Sequence, residues 1–262
     1  MGRIVFIGAG PGAADLITLR GARRLAQADV VLYDALTDPA LREFAPQARW
    51  IHVGKRGFCD STGQAAINAL LVRYARQVDL VVRLKGGDPS VFGRLEEELE
   101  AAAAAGLTTE VVPGVTAALA AAAASQRPLT RRGTGRSVSL TTAMTRSGQL
   151  HASRSADTEV FYMAGRQLGA LSRRLREAGW PEDTPASVVS RAGWPDELQS
   201  DHTVVSLAQA SVLHAGRPTV VIVGSGARPL RAAARQHPDM LKDDPGTGDL
   251  VLAQGACPGP RP

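Results

Sequence analysis

A chain of 262 residues is longer than one small module and short for two full-sized domains, so one large or two modest domains is the bound. With 44% hydrophobic and 21% charged residues it has the apolar content for a packed core, which excludes disorder of the whole chain. The net charge of +5 is lopsided, because only Lys55, Lys85 and Lys242 are lysines among 30 basic residues; 27 arginines point to a polyanionic ligand, unless they reflect only an Arg- and Ala-rich coding bias.

In chain order, Arg3 to Ile7 is a short apolar strand ending in GAGPG, and Thr18 is an N-cap for a helix through LRGARRLAQA. DVVLY is a second buried strand that stops at Asp34. Ser61 and Gln64 stand at capping-box spacing, and Ile67, Leu70, Leu71, Tyr74 and Val78 form the apolar stripe of the helix that follows. LVVRL is the next strand and runs into KGGDP; a helix through RLEEELEAAAAA closes at Gly106. EVVPG then reads as strand and turn, and TAALAAAAAS as helix. Continuously apolar strands alternating with helices predict a mostly parallel α/β layer.

The pattern changes after Pro113-Gly114. SVSLTT, TEVFYM, ASVVS, TVVSL and PTVVIVG are strands set closer together, with one helix from Gln167 to Ala178 capped by Gly179. A second α/β domain with more antiparallel content is expected over 114–228, after a first over 1–113, and a Pro-rich tail with little packed structure over 229–262. Cys59 and Cys257 lie far apart without metal-ligand spacing, which fits a reducing compartment. No leader precedes the first strand and no run reaches the roughly 18 apolar residues of a membrane span, so a soluble, cytoplasmic protein is expected.

Three motifs carry the chemistry. Gly8-x-Gly10-x-x-Ala13 after a strand fits a dinucleotide fingerprint, with Asp34 near the distance of a ribose ligand, and by itself points to a flavin or nicotinamide oxidoreductase. Against that, the helix start is displaced to about Thr18, and Pro11 deletes an N–H that a phosphate would use. A plain structural turn is the bland alternative. RLKGGDPSVFGR places two glycines at a strand's carboxyl end, where ligands of open α/β sheets bind, followed by Phe92 and Arg94. VVPGVTAALAAAAA has side chains small enough for close approach of a helix or a ligand, although Ala-rich helices are more often plain packing.

Together the ordered set GAGPG, LITLR, ADVVLYD, VGKR, VVRLKGGDPSVFGR, VVPGVTAALAAAA, PLTRR and YM resembles the tetrapyrrole methylase family, over about Arg3 to Gly226. The resemblance implies two α/β domains with S-adenosylmethionine in the cleft between them, no metal, and a homodimer. Carried over position by position, the cofactor contacts are Pro11, Gly86, Gly87, Asp88, Val91, Thr116, Ala117, Met163 and Ala192. The family's proton acceptor falls on Asp34 and its proton donor on Lys55, so Asp34 is read as a catalytic carboxylate rather than a ribose ligand or a surface strand end. The implied substrate is the octacarboxylate uroporphyrinogen III, and Arg94, Arg131, Arg132 and Arg136 are candidates to meet its carboxylates near the cleft mouth, a solvated basic face being the alternative. Neither nucleic acid nor a membrane is expected as a partner.

Departures from the family pattern gather on the expected tetrapyrrole side. Residues 128–132 read PLTRR for PLTHR, so Arg131 replaces a histidine, and residues 142–144 read TAM for TGH, placing Ala143 and Met144 where the family has Gly and His. GRGGEE has become GRLEEE from Gly93 to Glu98, and Ser90 stands where Phe is usual. Methyl transfer is therefore a firmer expectation than the identity of the substrate; a paralogue acting on a later corrinoid precursor, or a binding module without activity, would carry the same cofactor set.

Overall fold

The computed structural model describes residues 2–54, 63–143 and 150–230. Lys55, Cys59, Ser61, Met144, Lys242, Cys257 and the tail beyond Leu230 lie outside the described residues. Met1–Leu230 forms one compact unit built on two five-stranded sheets.

The first sheet contains β1 (Arg3–Gly8), β2 (Val30–Tyr33), β3 (Arg49–His52), β4 (Leu80–Lys85) and β5 (Thr108–Val112) in the order β3-β2-β4-β1-β5, all parallel. Ile, Val and Phe fill both faces of β1, and all six residues of β4 are buried, Arg83 and Lys85 among them, as in a sheet covered on both sides. One face packs under α1 (Leu19–Leu25) and a 3-10 helix at Pro39–Phe44, through Leu25, Leu41 and Ala45. The other lies under α2 (Gln64–Ala75) and α3 (Leu95–Ala104), through Ile67, Leu71, Ala75 and Ala102. Parallel strands all end on the same edge, so the exits of β1, β2, β4 and β5 present Gly10-Pro11, Asp34, Gly86-Gly87-Asp88 and Pro113-Gly114 side by side.

After Val112 the chain enters α4 (Ala117–Ala124), whose Ala118, Ala120 and Ala121 pack against Val160, Val220 and Ile222 of the second sheet. That sheet has the order β6-β7-β10-β8-β9, from β6 (Val138–Thr142), β7 (Thr158–Tyr162), β8 (Pro185–Ser190), β9 (Leu198–Thr203) and β10 (Thr219–Gly224). Only β6 and β7 run parallel; the other pairings are antiparallel. Its far face is covered by α5 (Leu168–Glu177), with Leu168, Leu171 and Leu175 buried, and by the short α6 (Ala210–Leu213).

Several expectations are met and others corrected. Thr18 caps α1, its hydroxyl accepting from the Gly21 N–H at 3.1 Å. Gly106 and Gly179 stand at positive φ just past α3 and α5. The N-cap of α2 is Gly63, with no side-chain cap bond; the Ser61 of the capping-box spacing lies outside the described residues. TVVSL is not a strand: the Ser206 hydroxyl accepts from the Thr203 N–H at 2.9 Å and turns the chain, while Val204 and Leu207 drop into the core under α5. The strand there is the preceding LQSDHT, whose polar side chains carry no period-two apolar signal and which pairs with β8 as a sheet edge. β3 escaped for a similar reason, being four residues with charged or polar ends.

Candidate active site

The glycines of the three motifs pack backbone against backbone. A Cβ on Gly114 would stand 2.4 Å from the Gly87 oxygen and 2.7 Å from the Gly8 Cα, and one on Gly8 would stand 2.5 Å from the Gly114 Cα. β1, β4 and β5 can therefore converge at their carboxyl ends only because no side chain intervenes. Gly10 and Gly87 bridge each other, with N–H to oxygen distances of 3.3 and 2.7 Å, both at positive φ. Asp88 ties this cradle together: Oδ2 accepts from the Gly114 N–H at 2.9 Å, and Oδ1 from the Ser90 N–H at 2.8 Å and the Ser90 hydroxyl. Partial burial alone would raise the Asp88 pKa, but these hydrogen bonds override it and hold the carboxyl below the usual range.

The second sheet closes over the cradle. The Ala13 N–H donates to the Gly193 oxygen at 2.8 Å, and the Trp194 indole N–H donates to the Pro11 oxygen at 3.0 Å. Between the layers lies a cavity of about 250 Å³. All nine residues expected to touch a cofactor line it: Pro11, Gly86, Gly87, Asp88, Val91, Thr116, Ala117, Met163 and Ala192. Phe92, Met163 and Arg191, three of the non-glycine residues with positive φ among those described, also line it, and such strained backbone clusters where a site must be pre-shaped. Only a single 3-10 turn, Ala14–Leu16, follows the glycine loop and α1 begins later at Leu19, so no α-helix N-terminus stands on the loop, which counts against the pyrophosphate reading of GAGPG.

Sequence reasoning missed Tyr162 and Trp194. The Tyr162 hydroxyl lies 2.7 Å from the Thr116 hydroxyl and accepts from the Ala118 N–H at 3.2 Å, pinning the start of α4, and its ring meets that of Phe92 at 5.0 Å. Neither has a local signature, since each acts on a segment distant in sequence.

Asp34 stands outside this cavity, just past β2. Ala35 and Thr37 line a neighbouring hollow of about 280 Å³ with Tyr33, Asp34, Arg42, Trp50 and His52, whereas Leu36 between them lines the first. The Asp34 Oδ1 accepts from Arg83 Nη2 at 2.6 Å, and Arg83 and Lys85 both donate to Glu98, at 3.0 and 2.9 Å. Lys55 falls outside the described residues.

The four arginines do not gather. Arg94 follows the cavity-lining Phe92 and is paired with Glu97 through two bonds of 2.7 Å. Arg131, Arg132 and Arg136 belong to a loop whose Thr134 oxygen accepts from Ser225 and whose Arg136 N–H donates to Asp157. That is the opposite end of the second sheet: β10 runs from Thr219 at the cavity to Gly224 beside this loop, roughly 17 Å of strand. The expectation that these three stand near the mouth of the cavity is corrected accordingly. The Arg131 guanidinium is instead bonded to the Arg228 oxygen. Ala143 is fully buried in the core under α5.

Among the described residues no group of three His, Cys, Asp or Glu side chains is placed to hold a metal, and no helix is long and apolar enough to cross a membrane.

Comparison with known proteins agrees with this geometry. The chain is 40% identical over 232 residues to the uroporphyrinogen-III C-methyltransferase of Pseudomonas aeruginosa, covering 87% of this chain and 95% of that protein. It is 41% identical over 229 residues to a siroheme synthase of Neisseria meningitidis, where the match covers 85% of this chain and 48% of the relative, so it spans about half the length of that protein. Among solved structures, the uroporphyrin-III C-methyl transferase of Thermus thermophilus complexed with S-adenyl homocysteine superposes with a TM-score of 0.75 at 36% identity, covering 85% of this chain and 97% of that one. A cobalt precorrin-4 methyltransferase gives 0.76 at 31% identity, covering 87% and 96%. The family model for tetrapyrrole (corrin/porphyrin) methylases matches residues 3–208, a span that includes the glycine cradle, the Asp34 charge group and most of the second sheet, and the chain belongs to that family.

Proposed function

We propose that this chain methylates two ring carbons of uroporphyrinogen III from S-adenosylmethionine, forming precorrin-2 through precorrin-1 at the entry to sirohaem and cobalamin synthesis. The observation that carries the reading is the convergence of nine residues from five separate segments on one cavity, in a chain 40% identical to a uroporphyrinogen-III C-methyltransferase. The lining fits the cofactor. A Cβ on Gly87 would meet nothing nearer than 3.9 Å, whereas one on Gly86 would stand 3.2 Å from the Leu36 Cβ, so the floor at Gly87 is bare backbone against which a flat, polar molecule can lie. Pro11, Gly86, Gly87, Asp88, Val91, Thr116, Ala117, Met163 and Ala192 would hold it.

S-adenosylmethionine supplies a sulfonium-activated methyl, so an electron-rich pyrrole carbon needs no metal or covalent enzyme nucleophile. The chain's work is to hold the partners in line, a proximity effect worth up to about 7–11 kcal/mol in favourable cases. Tyr162 and Trp194 fix the two walls of the cavity through their bonds to Thr116 and Pro11. Asp34 accepts the proton the macrocycle releases after methylation, and Lys55, by its place in the family pattern, serves as proton donor. Arg94 remains the candidate for a substrate carboxylate. The protein acts in the cytoplasm as a homodimer, with domains at 1–113 and 114–228 and a tail at 229–262.

A second reading, a methyltransferase acting on a later corrinoid precursor, is favoured by the likeness to a cobalt precorrin-4 methyltransferase and by the buried Ala143 where the family pattern has glycine. Incubation with S-adenosylmethionine and uroporphyrinogen III under reducing conditions, followed by product mass, separates the two. A gain of two methyl groups supports the first reading; no gain, with methylation of a later intermediate, supports the second.

A further inference from the structure

Behind Asp34 lies a chain of buried charge that the reaction as described does not use. Arg83 and Lys85 sit at the end of β4, with side chains 3% exposed, and Glu98 in the first turn of α3 is fully buried. Asp34 alone in the group reaches solvent, at 28% exposure. The Arg83 fork is fixed on every side. Nε donates to Glu98 at 3.0 Å, Nη1 to the Leu84 oxygen at 3.2 Å and the Leu32 oxygen at 3.4 Å, and Nη2 to Asp34 at 2.6 Å. Glu98 is held in turn by Lys85 at 2.9 Å and by the Gln64 amide at 3.2 Å.

Burying such charges costs several kcal/mol per ion before pairing, and a well-packed apolar set is often as stable. The arrangement delivers one thing that an apolar set would not: a cation of fixed position and tuned strength aimed at one Asp34 oxygen. Burial pulls the Lys85 pKa down, with Arg83 adding to the effect against Glu98. Burial also works against the Arg83 charge, but Asp34 and Glu98 outweigh it and keep the guanidinium charged.

We infer that Glu98 is a positioning residue for methyl transfer, acting through Arg83 to orient the Asp34 carboxylate and to set how strongly it holds a proton. This rests on the reading of Asp34 as the proton acceptor. Glu98 draws off part of the Arg83 charge, and Lys85 limits how much. Among the described residues the other charged or titratable groups facing Asp34 are Tyr33 on β2, His52 on β3, and Asp38 and Arg42 on the 3-10 segment after β2; none of these is bonded to Glu98.

The test compares two variants of opposite sign. In Glu98→Gln the Arg83 charge falls wholly on Asp34, so the carboxylate is harder to protonate and a weaker base. The rate should drop about tenfold in kcat with KM for the tetrapyrrole nearly unchanged, and the acidic limb of the pH–rate profile should move to lower pH. Lys85→Met frees Glu98 to oppose Arg83 more fully, so its acidic limb should move to higher pH; it also keeps Arg83 paired on both sides, so it serves if Glu98→Gln folds poorly. Glu98→Asp should restore part of the lost rate. Independently of turnover, the Arg83 Nε–H proton resonance of the ligand-free protein should exchange slowly in the wild type and rapidly in Glu98→Gln. Two profiles that superpose on the wild type, with only thermal stability altered, would make the group a structural feature and overturn the inference. Loss of proton protection at Arg83 with no methylation by the wild-type protein would instead leave the geometry standing and remove the proposed function.

Discussion

Two stretches of one sheet edge do opposite things with the same topology. At the exits of β1, β4 and β5 the chain uses glycine: Gly8, Gly87 and Gly114 bring backbone onto backbone, and Asp88 has both carboxylate oxygens occupied by local N–H and hydroxyl groups. One strand over, at the exit of β2 and within β4, the chain places Asp34, Arg83, Lys85 and Glu98 in contact, three of them buried. The first region shapes a surface and leaves little free charge; the second concentrates charge and leaves one oxygen near solvent. A site that must hold one molecule and move a proton on another is served by that division, since shape recognition tolerates bare backbone whereas proton transfer needs a placed base.

The largest expected effect sharpens the comparison. Asp34→Asn should lower turnover by about 10²-fold or more while S-adenosylmethionine affinity, measured by titration calorimetry, changes little. Equal loss of both would move Asp34 into the cofactor site and erase the distinction. Gly114→Ala attacks the other region. The new methyl would meet the Gly87 oxygen and the Gly8 Cα, both backbone, so a loss of about 1–3 kcal/mol is expected in chemical denaturation, together with weaker cofactor binding. An unchanged unfolding midpoint would mean the strand ends converge less tightly than described.

A third effect lies away from both regions. Burial holds the pKa of His214 below 6.5, as it does for His202, and His214 is fully enclosed by Ser190 and Ser200, at 2.9 and 2.8 Å. The unfolded chain takes the proton more readily than the folded one, so the stability from neutral His214 is complete above about pH 6.5 and is lost as pH falls below it. Melting temperature should therefore decline between about pH 7 and pH 5, and His214→Gln should flatten that slope; identical slopes would assign the pH dependence elsewhere. The smallest effect is a deliberate contrast: Ala at Arg131, Arg132 or Arg136, at the far end of the second sheet, should leave S-adenosylmethionine affinity within about twofold.

The pieces legible in the sequence are those whose signal is local. Apolar runs marked β1, β2 and β4, Thr18 and Gly106 marked helix ends, and the ordered glycine motifs carry seven of the nine residues that line the cavity, while Met163 and Ala192 come from the family resemblance alone. What stayed hidden depends on distance. Arg83 and Glu98 are 15 residues apart and Arg83 and Asp34 are 49 apart, so the charge group is visible in the sequence only as two basic residues inside an apolar strand, itself a sign that partners must exist. β9 was hidden because an edge strand can be held by main-chain bonds and by pairs such as Arg127 with Asp201, with almost no apolar content of its own. The arginine loop was misplaced because sequence order says nothing about which end of a sheet a connection occupies.

A crystal structure of the protein with bound S-adenosylhomocysteine tests the central claim most directly. The account expects the ligand in the cavity between the two sheets, against Gly86, Gly87 and Thr116, with its sulfur turned towards the Leu36 side where Asp34 lies. Binding in the hollow of Arg42, Trp50 and His52, or no binding at all, would contradict it.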